Sequence, residues 1–341
     1  MKLTEKQLIK IVKNFFPDAK DCVFTPLTSG HINETFRIDL KEGTYILQQL
    51  NTRVFPNPKA IMHNALQVAV HLEKKEYPRQ TLRPFATKND TFLHQNNAGN
   101  YWRMLPFFEN TITLETPENT EQAYLAAAAY GEFLQYLNDL SASEIEVIIP
   151  NFHNANFRIT QFENALKNTN ETRLKEAKNE VAEIKNAYSF LEKMTCLRLP
   201  LRVTHNDTKI SNILFSKDKK NAVAVIDWDT IMPGTSLSDF GDCVRTFCTN
   251  AAEDEKDLSK VKFREEYYEA IEKGFLSEAG ETLTEIEKKH LRDGARQVIL
   301  VQAMRFLTDF LEGDVYYKIS REGQNLDRAR NQLELFKQMI K

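Results

Sequence analysis

A short segment in the second half of the chain concentrates side chains that could transfer a phosphoryl group. His205, Asp207, Lys209 and Asn212 follow the spacing H-x-D-x-K-x-x-N, and Asp227 follows later. An aspartate can accept the proton of an attacking hydroxyl, and a lysine can offset charge on the transferred group. An amide oxygen and a carboxylate can bind Mg²⁺. The predicted chemistry is phosphoryl transfer from ATP, which depends mainly on positioned charges.

Two strand-like runs determine where Asn212 and Asp227 lie relative to each other. We expect strands over Asn212–Phe215 and Ala222–Ile226, joined by a turn at Lys217–Asn221. Such a hairpin would bring Asn212 and Asp227 to the same end, where they can flank one metal ion. The spacing H-x-D-x-x-x-x-N arises by chance in about one chain in a hundred of this length. The alternative is that these residues are ordinary loop polars that form turns and caps.

The first hundred residues predict a small antiparallel sheet with one main helix. Thr4 and Gln7 form a capping-box pattern ahead of a short helix that ends before Pro17. Five strand-like runs and a longer helix follow. In chain order these are strands between 23 and 50, a helix from Asn57-Pro58, and strands near 91–94 and 101–106.

Beyond Phe108 the pattern is mostly helical, which predicts the α+β class. One β island, residues 201–230, interrupts the helices, and a short hinge is expected at Phe107–Asn110. We therefore predict an N-terminal lobe over 1–108 and a C-terminal lobe over 109–341. The expected helical stretches run from Thr116-Pro117 to about Leu140, over roughly 157–167 and 171–194, and from about 261 to the end.

Composition excludes several classes of partner. The net charge is −3, so no basic field points to nucleic acid or an anionic membrane. The charged N-terminus is unlike a signal peptide, and no run is long and apolar enough to span a bilayer. The cysteines lack CxxC spacing, which favours reduced thiols over disulfides or metal binding. We expect a cytoplasmic protein.

Four blocks of the chain resemble the aminoglycoside phosphotransferase and choline kinase group, and N-acetylhexosamine 1-kinases most closely. The blocks are Ser29–Thr35, Tyr45–Asn51, His205–Asn212 and Arg305–Asp314. This resemblance implies a protein-kinase-like two-lobe fold in which the first lobe clamps ATP. It also implies Asp207 as the catalytic base and Asn212 and Asp227 as Mg²⁺ ligands. From the chemistry of the motif we expect Lys209 to be catalytic as well. The residues then expected at the nucleotide are Ser29, Gly30, His31, Asn33, Gln48 and Phe108.

The chain departs from the protein-kinase pattern in its first lobe. Protein kinases use several glycines and a third-strand lysine around the phosphates, whereas this chain has only Gly30 in the turn and Gln48 at the lysine position. Glutamine can donate a hydrogen bond but carries no charge, so another cation or greater reliance on Mg²⁺ must compensate. Gln48 could equally be only a polar strand residue.

Several other polar residues admit two interpretations. His31 could contact phosphate or sugar, or only satisfy the turn, and Asn33 more readily shapes that turn. His205 is expected to brace the catalytic loop rather than carry protons. Asp229 and Asp239 could bind metal, but capping or loop bracing is the safer interpretation for each.

The C-terminal helix offers candidates for binding the acceptor. Arg305 continues a seven-residue line from Leu291 and Val298, and Gln302 and Asp309 flank it. We expect Arg305 and Asp309 to hydrogen-bond a sugar in a cleft. The alternative is an exposed ion pair of little energetic value. Tyr316 or Tyr317 could form a stacking wall, or only pack; His31 and Asp207 complete the expected sugar site.

The most specific prediction is an ATP- and Mg²⁺-dependent kinase of the anomeric hydroxyl of N-acetylglucosamine or N-acetylgalactosamine. A second hypothesis keeps the reaction but changes the acceptor to an aminoglycoside, a choline-like alcohol or another sugar. A choline site requires an aromatic or acidic cage, whereas Gln302, Arg305 and Asp309 better suit a neutral polyol. A third hypothesis is a pseudokinase, supported only by Gln48.

Overall fold

The structure is a computed structural model that describes residues 3–27 and 32–340. Its first helix, α1, spans Glu5–Val12 and begins with the expected capping box between Thr4 and Gln7. A five-stranded antiparallel sheet follows in the order β1-β2-β3-β5-β4. Its strands are β1 Val23–Leu27, β2 Glu34–Leu40, β3 Gly43–Gln49, β4 His94–Gln95 and β5 Tyr101–Pro106, and helix α2, Pro58–Lys74, lies between β3 and β4 in the chain.

Alternation along the strands gives this sheet one buried face. Ile38, Leu47 and Met104 are fully buried and pack with Leu8 and Val12 of α1 in one core cluster. Helix α2 buries its apolar stripe in a different and larger cluster, which it shares with the C-terminal helices. It therefore packs with the C-terminal part of the chain, whereas α1 covers the buried face of the sheet.

The second part of the chain is mostly helical, and the α+β prediction is confirmed. The 171–194 stretch is three short helices rather than one, and the helix expected from Thr116 begins at Thr120. The helices are α3 Thr120–Tyr136, α4 Ala155–Asn168, α5 Glu171–Glu176, α6 Lys178–Asn186, α7 Tyr188–Thr195, α8 Ser236–Phe247, α9 Glu265–Ala279, α10 Glu285–Lys289, α11 Leu291–Glu312 and α12 Gln324–Gln338.

Helix α8 was not foreseen from the sequence, although it borders the site. It packs along α11 so closely that a Cβ on Gly241 would lie 2.9 Å from the backbone oxygen of Gly294. Any side chain larger than glycine at position 241 would therefore collide with the backbone of α11. The close packing allows the two helices to present side chains to one cavity.

The β island forms two small sheets that carry the motif. Strands β6 Thr111–Ile112, β8 Ile213–Ser216 and β9 Ala222–Val225 make one, and β7 Arg202–Thr204 pairs with β10 Met232–Gly234 in the other. The predicted hairpin is present, with β8 and β9 each shifted by about one residue at their ends. Among the described residues, no helix is both long and apolar enough to cross a membrane.

Candidate active site

The catalytic segment, residues 205–212, follows β7 directly and turns sharply at its second residue. Asn206 has a φ of 65°, a left-handed conformation that asparagine adopts more readily than most residues. Its side-chain amide donates to the backbone oxygens of Thr204, Thr230 and Met232 at 3.1, 3.1 and 3.2 Å. These buried hydrogen bonds fix the direction in which the segment leaves the sheet.

Asp239 and His205 brace the backbone of the segment, as expected. The Asp239 carboxylate accepts the backbone N–H groups of His205 and Asn206 at 2.9 and 2.7 Å, and burial raises the pKa of Asp239 to about 6. The His205 ring accepts the N–H of Asp207 at its Nδ1 and contacts the backbone oxygen of Ile226 at 2.9 Å through Nε2. This arrangement places the ring proton on Nε2.

Asp207, Lys209 and Asn212 meet within hydrogen-bonding distance. Lys209 Nζ lies 3.1 Å from Asp207 Oδ2, and the Asn212 amide donates to the same oxygen at 3.0 Å. Burial alone raises the pKa of Asp207, but Lys209 and the hydrogen bond from Asn212 outweigh it and lower the pKa. Asp207 is therefore ionised at neutral pH and can accept a proton. Tyr130 fixes the backbone of the same segment by donating to the Lys209 backbone oxygen at 2.8 Å.

Asp227 stands at the end of β9 with φ 63° and ψ 61°. Its N-terminal neighbour Ile226 donates its backbone N–H to the oxygen of Asn212 at 2.8 Å, so the two predicted metal ligands are drawn to one end of the hairpin. Burial and the nearby carboxylates of Asp229 and Asp207 raise the pKa of Asp227 to about 7. Such crowding of acids is relieved when a cation binds among them.

The donor chemistry here fits Mg²⁺. Among residues 3–27 and 32–340, the Asp227 carboxylate and the Asn212 Oδ1 have no hydrogen-bond or ion-pair partner, because Asn212 uses its amide nitrogen towards Asp207. In that part of the chain no group of three or more His, Cys, Asp or Glu side chains could hold a metal. A sparse set of oxygen ligands suits Mg²⁺, which keeps several waters and binds nucleotide phosphates.

Sequence reasoning missed a buried cation that faces the position of the absent lysine. Arg103 on β5 is the direct cross-strand partner of Gln48. Its Nε and one terminal nitrogen donate to Gln48 Oε1 at 3.0 and 2.8 Å, and its other terminal nitrogen lies 2.6 Å from Asp229 Oδ1. We call these three residues the cation cluster. The sequence signal was an arginine inside the apolar strand YWRMLP.

The other predicted nucleotide residues have mixed outcomes. Asn33 donates to Asp229 Oδ2 at 2.7 Å and accepts the backbone N–H of Asn51 at 3.0 Å, so it links the start of β2 to both residues; its nucleotide contact stays a prediction. Phe108 lies half-buried after β5, and its backbone oxygen accepts the Thr111 hydroxyl. Ser29, Gly30 and His31 lie outside the described residues.

Arg305 lies at the predicted acceptor end, among aromatic rings. It donates to Gln302 Oε1 at 2.9 Å, and its guanidinium lies 5.1 Å from the ring centroid of Phe152 and 5.6 Å from that of Tyr317. Gln302 also donates to the Tyr317 hydroxyl at 3.2 Å. Three of the predicted acceptor-side residues, Gln302, Arg305 and Tyr317, are thus brought together.

Asp309 is buried and hydrogen-bonded to the loop that follows α11. It is 2% exposed, and its carboxylate accepts the backbone N–H groups of Val315, Tyr316 and Tyr317 and the side-chain amide of Asn325 at 2.7 to 2.9 Å. Among the described residues it forms no ion pair with Arg305, and its contact with a sugar stays a prediction. Asp309 positions the loop that carries Tyr317.

A second arginine, missed from the sequence, faces Arg305 across Phe152. Arg158 on α4 donates to the Phe152 backbone oxygen at 3.1 Å, and burial together with Arg305 lowers its pKa to about 10. His153 is half-buried beside both arginines and the Asn206 backbone, and desolvation of its ring lowers its pKa to about 4. Neither arginine has an ion-pair partner among the described residues. A cavity of about 620 Å³, lined in part by Phe152, His153 and Asn206, borders this group.

Helix α8 adds a charged pair that the sequence analysis also missed. Arg245 Nε lies 2.7 Å from Asp242 Oδ1. Burial alone lowers the pKa of Arg245, but the carboxylates of Asp242, Glu253 and Asp207 raise it overall. The pair therefore belongs to the electrostatic surroundings of Asp207. Its i, i+3 spacing would have been visible if a helix had been predicted over 236–247.

Comparisons with known proteins agree with this architecture. A family model described as "Phosphotransferase enzyme family" matches residues 23–282. An aminopropanol kinase associated with a microcompartment has a TM-score of 0.70 at 13% identity, covering 97% of both chains. A spectinomycin phosphotransferase solved with ADP and spectinomycin gives 0.65 at 13%, covering 100% of this chain and 99% of that one. A choline kinase from Cryptosporidium parvum Iowa II gives 0.58 at 16%, with coverage of 99% and 95%. The protein-kinase-like fold is thereby confirmed.

Proposed function

Because the chain belongs to the phosphotransferase enzyme family, we propose that it is an ATP-dependent kinase of a small hydroxylated acceptor. The best candidate acceptor is the anomeric hydroxyl of an N-acetylhexosamine, with the sugar 1-phosphate as product. In this proposal residues 1–108 clamp the nucleotide, and 109–341 carry the catalytic groups and the acceptor site. The observation that carries it is the ionised Asp207 beside Lys209 and Asn212.

Asp207 acts as the general base. Its Oδ2 is held by Lys209 and Asn212, so the other carboxylate oxygen is available to the acceptor hydroxyl, whose proton it takes as the oxygen attacks the γ-phosphorus. Lys209 keeps Asp207 ionised and lies close enough to offset negative charge on the transferred group. Asn212 Oδ1 and Asp227 would hold Mg²⁺, which neutralises charge on the nucleotide phosphates.

The charge of the acceptor end favours a neutral acceptor. Arg158 and Arg305 meet around Phe152 without a carboxylate partner among the described residues. An aminoglycoside or choline-like alcohol carries positive charge, which this pair of guanidinium groups repels. A neutral sugar offers hydroxyl and amide oxygens that guanidinium N–H groups can bind. The resemblance of the Ser29–Thr35 and Arg305–Asp314 blocks to N-acetylhexosamine 1-kinases supports the same choice.

An acceptor panel tests this proposal. ADP release would be measured with MgATP and N-acetylglucosamine, N-acetylgalactosamine, glucose, choline, aminopropanol and kanamycin, and the product bond identified by phosphorus NMR. We expect the N-acetylhexosamines to react with the highest kcat/KM and to form an anomeric phosphate. Faster turnover of a cationic acceptor would refute the sugar assignment while keeping the kinase. MgATP binding without ADP release on any acceptor would instead favour a pseudokinase.

A further inference from the structure

The cation cluster has features that packing alone does not explain. The Arg103 and Asp229 side chains are 4% and 2% exposed. Placing ionised groups inside a protein is costly unless they are paired and hydrogen-bonded, and a well-packed apolar pair is often at least as stable. Two charges buried here therefore call for a reason beyond stability.

The position of Arg103 suggests that reason. It lies opposite Gln48 in the β3–β5 register, and its guanidinium pairs with Asp229, which follows Asp227 by two residues in the chain. The guanidinium therefore lies between the third strand and the proposed metal ligand, where a kinase needs a cation for the nucleotide phosphates. Gln48 accepts from Arg103 with its side-chain oxygen and donates from its amide nitrogen to the Thr35 hydroxyl at 3.0 Å. Asp229 pairs with Arg103 and accepts a hydrogen bond from Asn33.

We propose that Arg103 is the phosphate-binding cation of this protein and replaces the lysine that the third strand lacks, with Gln48 and Asp229 as positioning residues. The proposal rests on the proposed function, since it requires that the cleft bind ATP. A guanidinium has five N–H groups. The hydrogen bonds to Gln48 use the Nε–H and one N–H of one terminal nitrogen, and the other terminal nitrogen is ion-paired with Asp229. At least one N–H on each terminal nitrogen is left to donate to a phosphate oxygen, in a charge-assisted hydrogen bond.

Nucleotide binding tests this role directly. Dissociation constants for ATP, ADP and adenosine would be measured by calorimetry on the full chain and on Arg103→Gln. We expect the substitution to weaken ATP and ADP about ten- to a hundredfold, the range of one charge-assisted contact. Adenosine, which lacks phosphates, should bind within about twofold of the wild type. Equal affinity of wild type and variant for ATP and ADP would overturn the proposal.

A second variant separates phosphate binding from simple neutralisation of Asp229. Arg103→Gln leaves a buried carboxylate unpaired and could unfold the chain, whereas the double change Arg103→Gln with Asp229→Asn removes both charges together. If Arg103 binds phosphate, the double variant stays weak for ATP and ADP. Wild-type affinity in a folded double variant would show that Arg103 only neutralises Asp229, and would refute the proposal.

Arg79 provides a matched control. It too is a largely buried arginine paired with a carboxylate, Glu132, at 2.5 Å. It also donates to the backbone oxygen of Ala222, at the opposite end of β9 from Asp227. Arg79→Gln should lower stability and leave ATP, ADP and adenosine affinities unchanged. If the wild type itself bound neither ATP nor ADP, the proposed function would fail and the Arg103 inference with it; unchanged binding in the variants alone would remove only the inference.

Discussion

The catalytic segment and the cation cluster are both proposed to supply charge for phosphoryl transfer, but they are built differently. Residues 205–212 form one continuous stretch, and its backbone is held by Asp239, Tyr130 and the ring of His205. The cation cluster takes one residue from each of three distant parts of the chain, and Arg103 contacts both of the others. A continuous segment can be braced from behind while its reacting group stays half-exposed. A cluster of separate residues must be buried to stay together, so its members are more dependent on one another.

The largest expected effect tests the reacting group of the catalytic segment. Asp207→Asn should lower kcat about a thousandfold, because the variant lacks a group that can take the hydroxyl proton. Binding of ATP should change little, in contrast to Arg103→Gln. Steady-state kinetics and calorimetry would measure both quantities, with Asp218→Asn in the exposed hairpin turn as control. Near wild-type turnover of Asp207→Asn would remove Asp207 as the base.

The next largest effect concerns the ion pair between Arg202 and Glu287, which fixes the strand before the catalytic segment. Arg202, on the strand that leads into it, donates to both carboxylate oxygens of Glu287 at 2.8 Å. Burial alone raises the pKa of Glu287, but hydrogen bonds from Arg202, Ser236 and Thr284 outweigh it and lower the pKa to about 2. Glu287→Gln should lower the free energy of unfolding by about 3 kcal/mol at pH 7.

The pH dependence of this loss has a definite sign. The folded-state pKa lies below the ordinary value of about 4.3, so ionised Glu287 stabilises the fold above that pH. Its contribution disappears as the pH falls towards 2. Denaturant unfolding of wild type and Glu287→Gln should therefore converge between about pH 4.5 and 2. Glu285→Gln, on the exposed side of the same helix, is the control, and a difference that stays constant with pH would contradict the assignment.

A smaller effect is expected from the brace on helix α8. Asp239→Asn replaces a carboxylate that accepts two backbone N–H groups with an amide whose NH₂ cannot accept, so one donor loses its partner. We expect a loss of about 2 kcal/mol in stability and a lower kcat with an unchanged KM for ATP. Differential scanning calorimetry and kinetics would measure these, with Asp293→Asn on α11 as control. A raised KM for ATP alone would show that the brace serves the nucleotide instead.

The smallest effect concerns the acceptor end. Arg305→Gln keeps a hydrogen-bonding side chain but removes its charge, and should raise the KM for the acceptor about tenfold, the value of roughly 1.4 kcal/mol. The KM for ATP should not change. Arg296→Gln on the same helix, whose arginine pairs with Asp293 at 3.0 Å, is the control. Equal KM values for the acceptor in wild type and Arg305→Gln would exclude Arg305 from the acceptor site.

The two regions also differ in how far they could be foreseen. Asp207, Lys209, Asn212 and Asp227 were predicted together because a loop and a hairpin set their separation locally. Arg103 was missed because its partner lies 55 residues away, and only the β3–β5 register joins them. Arg158 and Arg305 are likewise brought together by packing. The hydrogen bonds of Asp309 to three backbone N–H groups were not predicted, because a sequence does not show which N–H groups will converge on a carboxylate.

The sequence by itself determined the α+β class, the order of strands and helices in the first lobe, and the residues of the catalytic segment. These follow from periodicity, capping and spacing, which act over a few residues. Only the tertiary structure decided that Arg103 faces the third strand, that Arg158 and Arg305 lie on either side of Phe152, and that Asp239 and Asp309 accept backbone N–H groups. Those outcomes depend on contacts between distant segments, where burial makes every unpaired charge or polar group costly enough to select one arrangement.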